Sequence, residues 1–260
     1  MELVYGPVVA FTRTAFALMR WRVHVSGVEH LPAEGPAVIA SNHVGYLDFA
    51  FLGRAALERG RLVRFMAKQE VFDHPVSGPL MRGMGHLPVD RFGGAVAAID
   101  TAVAALRAGE VVGLFPEGTI SRSFVPARPK TGAVRITMRA EAPLIPAAVW
   151  GSQRLLTKGR KPNWQRNVPI LVVYGRPIDY DADDTPADVT DELIDRISAL
   201  VDAAATSYPD QPAGDDDRWW LPAHLGGTAP SVDEAEAMAD RERQERLTRW
   251  RAERAGGTGS

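Results

Sequence analysis

Two hydrophobic periods alternate along the chain. From residue 23, short apolar runs predict strands at Val23–Val25, Ala37–Ala40, Leu62–Ala67, Val111–Phe115, Leu144–Val149 and Ile170–Tyr174. Between them, Ala95, Ile99, Ala102, Val103 and Leu106 recur at helical spacing. Val189, Leu193, Ile197, Leu200 and Val201 mark a second helix, which Thr185-Pro186 opens with Asp188 three residues after the cap. Strands alternating with helices predict an α/β fold, a central mixed sheet flanked by helices. No repeat of fixed period is present.

The two ends differ from this middle. Pro7 suits the first turn of a helix reaching about Arg22, with Val8, Phe11, Ala15, Leu18 and Met19 on one stripe and Arg13 and Arg20 on another face. Such an amphipathic helix either rests in a membrane interface with its arginines toward anionic headgroups or covers a core with a solvated edge. Past Ser207, Pro209, Pro212, Gly214 and the Asp215–Asp217 run read as a linker. Asp233 to Arg254 is a charged helical tail whose apolar stripe is only Met238, Leu247 and Trp250, so weak packing is expected, with Trp219 and Trp220 as its anchors. The chain therefore divides into 1–22, an amphipathic membrane-interface helix; 23–206, the α/β domain; and 207–260, linker and tail.

Composition narrows the function. With 260 residues, 45% hydrophobic, 24% charged and a net charge of −2, the chain lacks the basic balance of a general nucleic-acid binder. Zero cysteines exclude disulfides, thiolate nucleophiles and Cys-ligated metals. No apolar run is long enough to span a bilayer. The stretch Leu3–Trp21 is broken at Thr12-Arg13-Thr14, and its basic residues follow the apolar ones, the wrong order for a secretory signal. A cytoplasmic protein is expected. Charge is uneven: ten Lys/Arg face one acid, Glu141, between Ile120 and Pro169, whereas Arg176–Asp217 holds thirteen acids and two arginines. The basic block suits phosphates of a small ligand or of lipid headgroups.

No Gly-x-Ser-x-Gly elbow, Walker loop, complete dinucleotide fingerprint or His-Glu-x-x-His helix occurs, and no two of the six histidines have helical metal-ligand spacing. Candidate chemistry gathers in four places. Ser41-Asn42-His43-Val44-Gly45-Tyr46-Leu47-Asp48 follows a strand end, a common catalytic position in α/β folds. His43 and Asp48 meet only if His43 sits in the loop and Asp48 in the first helical turn, with Gly45 allowing the bend; on one helix they would diverge. So placed, Asp48 fixes the tautomer and leaves the other imidazole nitrogen as a general base. The alternative is a loop histidine beside an aspartate that complements a helix dipole. The other places are Gly83–Arg91, Phe115-Pro116-Glu117-Gly118-Thr119 with Ser121 and Arg122 beyond, and Pro143–Val149. Taken singly, these read as a surface ion pair, a tight turn and an edge strand.

Together and in order, the four blocks resemble the glycerolipid acyltransferase family typified by 1-acylglycerol-3-phosphate acyltransferase, over roughly residues 24–178. The resemblance implies that His43 takes the proton from an acceptor hydroxyl, that Asp48 orients it, and that the hydroxyl attacks an acyl thioester directly. It implies phosphate binding by Arg91 and acceptor binding by Glu117, Gly118 and Thr119, with nearby backbone N–H groups on the oxyanion. Lys68 is a second phosphate contact or a surface lysine, and Lys130 is a weaker basic candidate. The third block departs from the family's Glu-Gly-Thr-Arg-Ser: Ile120 stands where arginine is usual, and Arg122 comes two residues later, to reach the same anion or to mark a different headgroup pocket. The expected reaction moves a fatty acyl chain from acyl-CoA or acyl carrier protein to 1-acylglycerol-3-phosphate, giving phosphatidate. No cofactor or metal is required and no nucleic acid is involved. The expected setting is the anionic surface of the inner face of the cell membrane, bound peripherally. Glycerol-3-phosphate, another lysophospholipid or a glycolipid remain alternative acceptors, and a non-catalytic lipid-binding or scaffolding protein the alternative class.

Overall fold

The apolar runs become strands of one seven-stranded sheet in the computed structural model, which describes residues 4–90, 95–181 and 183–256. Among these residues the order is α1 (Tyr5–Met19), β1 (Arg22–Ser26), β2 (Ala37–Ser41), α2 (Asp48–Ala56), β3 (Val63–Lys68), α3 (Gln69–Asp73), α4 (Ser77–Gly83), β4 (Leu87–Val89) and α5 (Ala95–Arg107). There follow β5 (Val111–Leu114), α6 (Gly132–Ala140), β6 (Leu144–Trp150), β7 (Pro169–Tyr174), α7 (Pro186–Thr206) and α8 (Val232–Gly256). The sheet order is β1-β7-β6-β2-β5-β3-β4. All neighbours are parallel except β6 and β7, so β2 to β6 end at one common edge and the sheet is mixed.

Helices cover both faces. One core joins Ala102, Val103 and Leu106 of α5, Val134 and Ile136 of α6, and Leu193, Ile197 and Val201 of α7 to Val38, Val112 and Leu144 of the sheet. The other packs Phe16 of α1 and Phe51, Leu52 and Ala55 of α2 against Ile39, Val63, Ile145 and Ile170. Alternate residues of a strand face opposite sides, so β2 sends Val38 to one core and Ile39 to the other. That explains why its pattern is a continuous apolar run rather than an alternation.

Several details depart from expectation. Helix α1 ends at Met19, because Arg20 takes a left-handed conformation (φ 51°) and the chain turns into β1 at Arg22. The edge-strand explanation of Pro143–Val149 is overturned: every residue of β6 is buried, between β2 and β7. Pro146 is tolerated there because pairing with β7 starts only at Ala147, and at Pro146 the bond needed is an acceptor, its carbonyl receiving the Gly175 N–H at 2.8 Å. Strand β4 is a seventh; exposed Pro88 hides it from the pattern and is allowed because β4 lies at the sheet edge. Thr185 caps α7, its hydroxyl accepting the Asp188 N–H at 3.2 Å.

Residues past α7 join the same body. Tyr208 and Trp220 are buried in the first core, their ring centroids 5.4 Å apart, and the Tyr208 hydroxyl donates to Pro169 O at 2.7 Å. Charges hold α8: Glu236 and Asp240 pair with Arg128 at 2.7 and 3.0 Å, and Glu242 pairs with Arg122 at 2.7 Å.

Candidate active site

Three central strands deliver their ends to one place. Beyond β2 the chain enters the loop carrying His43; beyond β5 comes Phe115-Pro116-Glu117; beyond β6 a turn begins at Ser152. Asn42 fastens two of these ends, its amide donating to Val149 O at 3.0 Å and accepting the Val149 N–H at 2.8 Å. The third is tied by Ser121 N–H to His43 O at 2.8 Å.

His43 lies in the loop and Asp48 opens α2, the arrangement that their five-residue spacing requires. His43 Nδ1 is 2.9 Å from Asp48 Oδ2, and the same oxygen accepts the N–H groups of Val44 (2.8 Å) and Gly45 (2.9 Å). The hydroxyl of Ser152 donates to the other oxygen, Oδ1. Asp48 is fully buried, and a carboxylate surrounded by donors stays an acceptor, so Nδ1 carries the hydrogen and Nε2 keeps its lone pair. Gly45 is needed for proximity: a Cβ there would stand 2.9 Å from Ser152 Oγ and 3.0 Å from Ser152 O. The His43 side chain is 19% exposed, which leaves the ring reachable from solvent, and it stacks on Phe115 with centroids 4.1 Å apart.

Glu117 is also brought in. Its Oε1 accepts the His43 N–H at 3.1 Å. Burial pushes its carboxyl up from 4.5 to about 8, against the N–H groups of His43 and Ala127 that favour its charge, and the nearby negative Asp48 adds to the rise. At neutral pH it is mostly protonated, a buried acid able to donate a hydrogen bond.

The remaining candidates scatter around this centre. Gly118 adopts φ 64°, and the Lys130 ammonium lies 3.2 Å from where a Cβ on Gly118 would stand. Thr119 accepts a hydrogen bond from Lys158 Nζ at 3.2 Å. Ile120 is buried. Arg122 does not present a free guanidinium to an anion: it is engaged by Glu242 of α8, which also binds Lys158. Lys68 ends β3 at the same sheet edge, exposed, two strands from β2. Arg91 lies outside the described residues. His86, in the second block, is a core residue: burial, with Arg64 nearby, lowers it to about 4, and its neutral Nδ1 accepts the Phe65 N–H at 3.0 Å.

Sequence reasoning missed Ser152, Lys158 and the Phe115 stack. Ser152 had one available signal, its place just past a strand end at the edge that carries His43. Phe115 continues through Phe65 (centroids 6.3 Å apart, 12° between planes) to a narrow apolar cleft lined by Val8, Val9, Phe49, Phe65 and Met84, between α1, α2 and β3.

Comparisons with known proteins place the chain in a family. A family model described as Acyltransferase matches residues 22–150. The 1-acyl-sn-glycerol-3-phosphate acyltransferase of Bacillus subtilis is 37% identical over 145 residues, covering 55% of this chain and 71% of that protein. The chloroplastic 1-acyl-sn-glycerol-3-phosphate acyltransferase LPAT1 of Arabidopsis thaliana is 29% identical over 142 residues, 54% of this chain but only 39% of its own length. The crystal structure of the 1-acyl-sn-glycerophosphate (LPA) acyltransferase PlsC from Thermotoga maritima superposes with a TM-score of 0.65 over 79% of this chain and 81% of that one, at 21% identity, a likeness of fold.

Proposed function

This chain belongs to the glycerolipid acyltransferase family and is an O-acyltransferase, and from that premise we propose that it acylates the free hydroxyl of 1-acylglycerol-3-phosphate, drawing the acyl group from acyl-CoA or acyl carrier protein and forming phosphatidate. The observation that carries the reading is the reachable imidazole of His43, held through Nδ1 by a buried, fully bonded Asp48.

In this reaction His43 Nε2 takes the hydroxyl proton as the acceptor oxygen attacks the thioester carbonyl. Asp48 stabilises the imidazolium. Collapse of the tetrahedral intermediate breaks the carbon–sulfur bond, and the departing thiolate takes the proton from Nε2, leaving ester, thiol and neutral His43. Protonated Glu117 is suited to hydrogen-bond an oxygen of the acceptor, and the apolar cleft beyond Phe115 and Phe65 suits the acyl chain. Among the described residues no helix is long and apolar enough to cross a membrane. We assign the protein a peripheral place on the inner membrane face, supported by Phe11 and Leu18 of α1, which are 75% and 67% exposed beside exposed Arg13 and Arg20.

One observation favours a second acceptor. With Ile120 buried and Arg122 engaged by Glu242, the third block meets an anion differently from the usual pattern. Glycerol-3-phosphate, another lysophospholipid or a glycolipid are the alternatives. A panel of these acceptors with one labelled acyl group, carried on coenzyme A and separately on acyl carrier protein, tests both readings. Label entering phosphatidate in the wild type but not in His43→Ala supports the first; label entering another acceptor selects the second; no acceptor labelled with either donor refutes both.

A further inference from the structure

A second concave site, of about 500 Å³, lies behind the active-site loop, lined by residues that include Arg154, Thr157, Arg160, Lys161, Asn163 and Trp219. Its volume is in the range of small-ligand pockets. All six lie beyond residues 22–150, so the family match assigns them nothing.

The cavity is built rather than incidental. Asn163 closes the loop above it, its N–H donating to Leu155 O at 2.7 Å and its amide to Arg154 O at 3.1 Å. Arg154 at the base is neutralised by Asp210 at 2.6 Å and sits 4.7 Å from the Trp220 ring centroid. At the rim, Arg160 and Lys161 are exposed, and among the described residues neither pairs with a carboxylate. Arg160 instead lies 4.0 Å over the Trp219 ring. Of the three acids just before Arg218 and Trp219, Asp215 is engaged by Arg218, Asp217 accepts the Ala213 N–H, and Asp216 is exposed. The Arg160 guanidinium stacked on Trp219, with Lys161 next to it, suits a nucleotide whose phosphates draw Arg160 off the ring and whose planar base takes its place.

Its location connects it to the reaction. The Thr157 hydroxyl, in the cavity wall, donates to Val44 O at 2.6 Å, and Leu156 O receives the Tyr46 N–H at 2.9 Å, so the wall is bonded to the residues flanking His43 on its loop. We propose that this cavity holds the nucleoside polyphosphate end of the thioester donor, with the base against Trp219 and the phosphates at Arg160 and Lys161, which makes coenzyme A the carrier. This rests on the acyl-transfer reading above. A flat protein surface such as acyl carrier protein would not need the Trp219 plate.

The test separates the two claims. Binding of free coenzyme A and of adenosine 3′,5′-bisphosphate is measured by calorimetry, with glycerol-3-phosphate as control. Turnover is measured with acyl-CoA and with the same acyl group on pantetheine, which lacks the nucleotide. Trp219→Ala and the surface substitution Lys161→Glu are expected to weaken nucleotide binding and to raise KM for acyl-CoA by roughly tenfold, leaving KM for acyl-pantetheine and for the acceptor unchanged. Equal shifts for both donors, no shift, or a wild type that turns over thioesters without binding the nucleotide overturns the inference and leaves acyl transfer standing. Nucleotide binding lost in both variants, in a protein that turns over no thioester, retains the site and sinks the reaction.

Discussion

The Ser152 hydroxyl donates to Oδ1 of Asp48 while His43 is held by Oδ2, so opposite sides of one buried carboxylate are fixed by a strand-end turn and by the imidazole. Ser152→Ala removes the side-chain hydroxyl from that carboxylate and leaves a buried acceptor underbonded, at a cost of about 1–3 kcal/mol in stability. Freed to rotate, Asp48 no longer aims His43 sharply, and kcat is expected to fall by roughly ten- to a hundredfold. KM should change little, since Ser152 is fully buried. Ser152→Thr, which keeps the hydroxyl, should restore much of kcat. Steady-state kinetics on both variants check this, and a kcat loss in Ser152→Thr equal to that in Ser152→Ala would count against the hydrogen bond as the cause.

His43→Ala should lower kcat by about 10²–10⁴-fold, the range for a general base. It should leave thermal unfolding nearly unchanged, because Asp48 Oδ2 keeps the N–H groups of Val44 and Gly45 when the ring is removed. Asp48→Asn is expected to be worse for folding, since three backbone or hydroxyl donors converge with Nδ1 on the carboxylate and an amide nitrogen cannot accept them. Circular dichroism melts beside single-turnover rates distinguish the two.

How much of this was legible follows from which interactions are local. Strand runs such as Ala37–Ala40 and the strand-end position of His43 are written in neighbouring residues, and so is the loop-to-helix step that lets His43 meet Asp48. Ser152 lies 104 residues from Asp48, and Glu242 lies 120 residues from Arg122. Neither pairing has a period or a motif to announce it; folding of the sheet brings strand ends together, and only then do the side chains meet. Arg122 looked available because the acid it pairs with, Glu242, lies 120 residues away. The charged tail looked weakly packed because its contact is ionic rather than apolar.

Glu117 makes stability depend on pH. Its folded value of about 8 lies above its ordinary 4.5, so between these limits the native state holds a proton that the unfolded chain has released. Stability from this group therefore declines as pH rises through that window. Glu117→Gln removes the effect while keeping an oxygen to accept the His43 N–H. The melting temperature of the variant, relative to wild type, should climb from pH 5 to pH 8 and then level off. A difference that stays flat across this range would contradict a protonated native Glu117.

Glu242 competes with any anion that approaches Arg122 and Lys158. Replacing it with Gln removes the opposing charge; ion pairs this accessible are worth about 0.5–1 kcal/mol, which corresponds to roughly two- to fivefold in an equilibrium constant. Glu242→Gln should thus lower KM for a phosphorylated acceptor by that factor at low salt, with the advantage fading as ionic strength rises. A raised KM would mean that Glu242 positions the two cations for substrate rather than occupying them.

Helix α1 uses opposite faces for opposite purposes. Tyr5 and Phe16 are buried, Phe16 stacking on Phe51 with centroids 4.7 Å apart, so removing the helix would damage the core. Phe11 and Leu18, one heptad apart, point outward and touch little, which makes them the sharper probes of membrane attachment. Burying one such side chain contributes about 1.5–3 kcal/mol, so Phe11→Asp with Leu18→Asp should weaken partition onto anionic vesicles by at least roughly tenfold. The melting temperature and the turnover of a soluble short-chain substrate should be retained. Sedimentation with vesicles of mixed phosphatidylglycerol and phosphatidylcholine reads the first effect. Arg13→Glu with Arg20→Glu should reproduce it only on the anionic vesicles, because headgroup charge rather than burial is then the attraction. Undiminished vesicle binding in both double variants would make α1 a purely structural cover over α2.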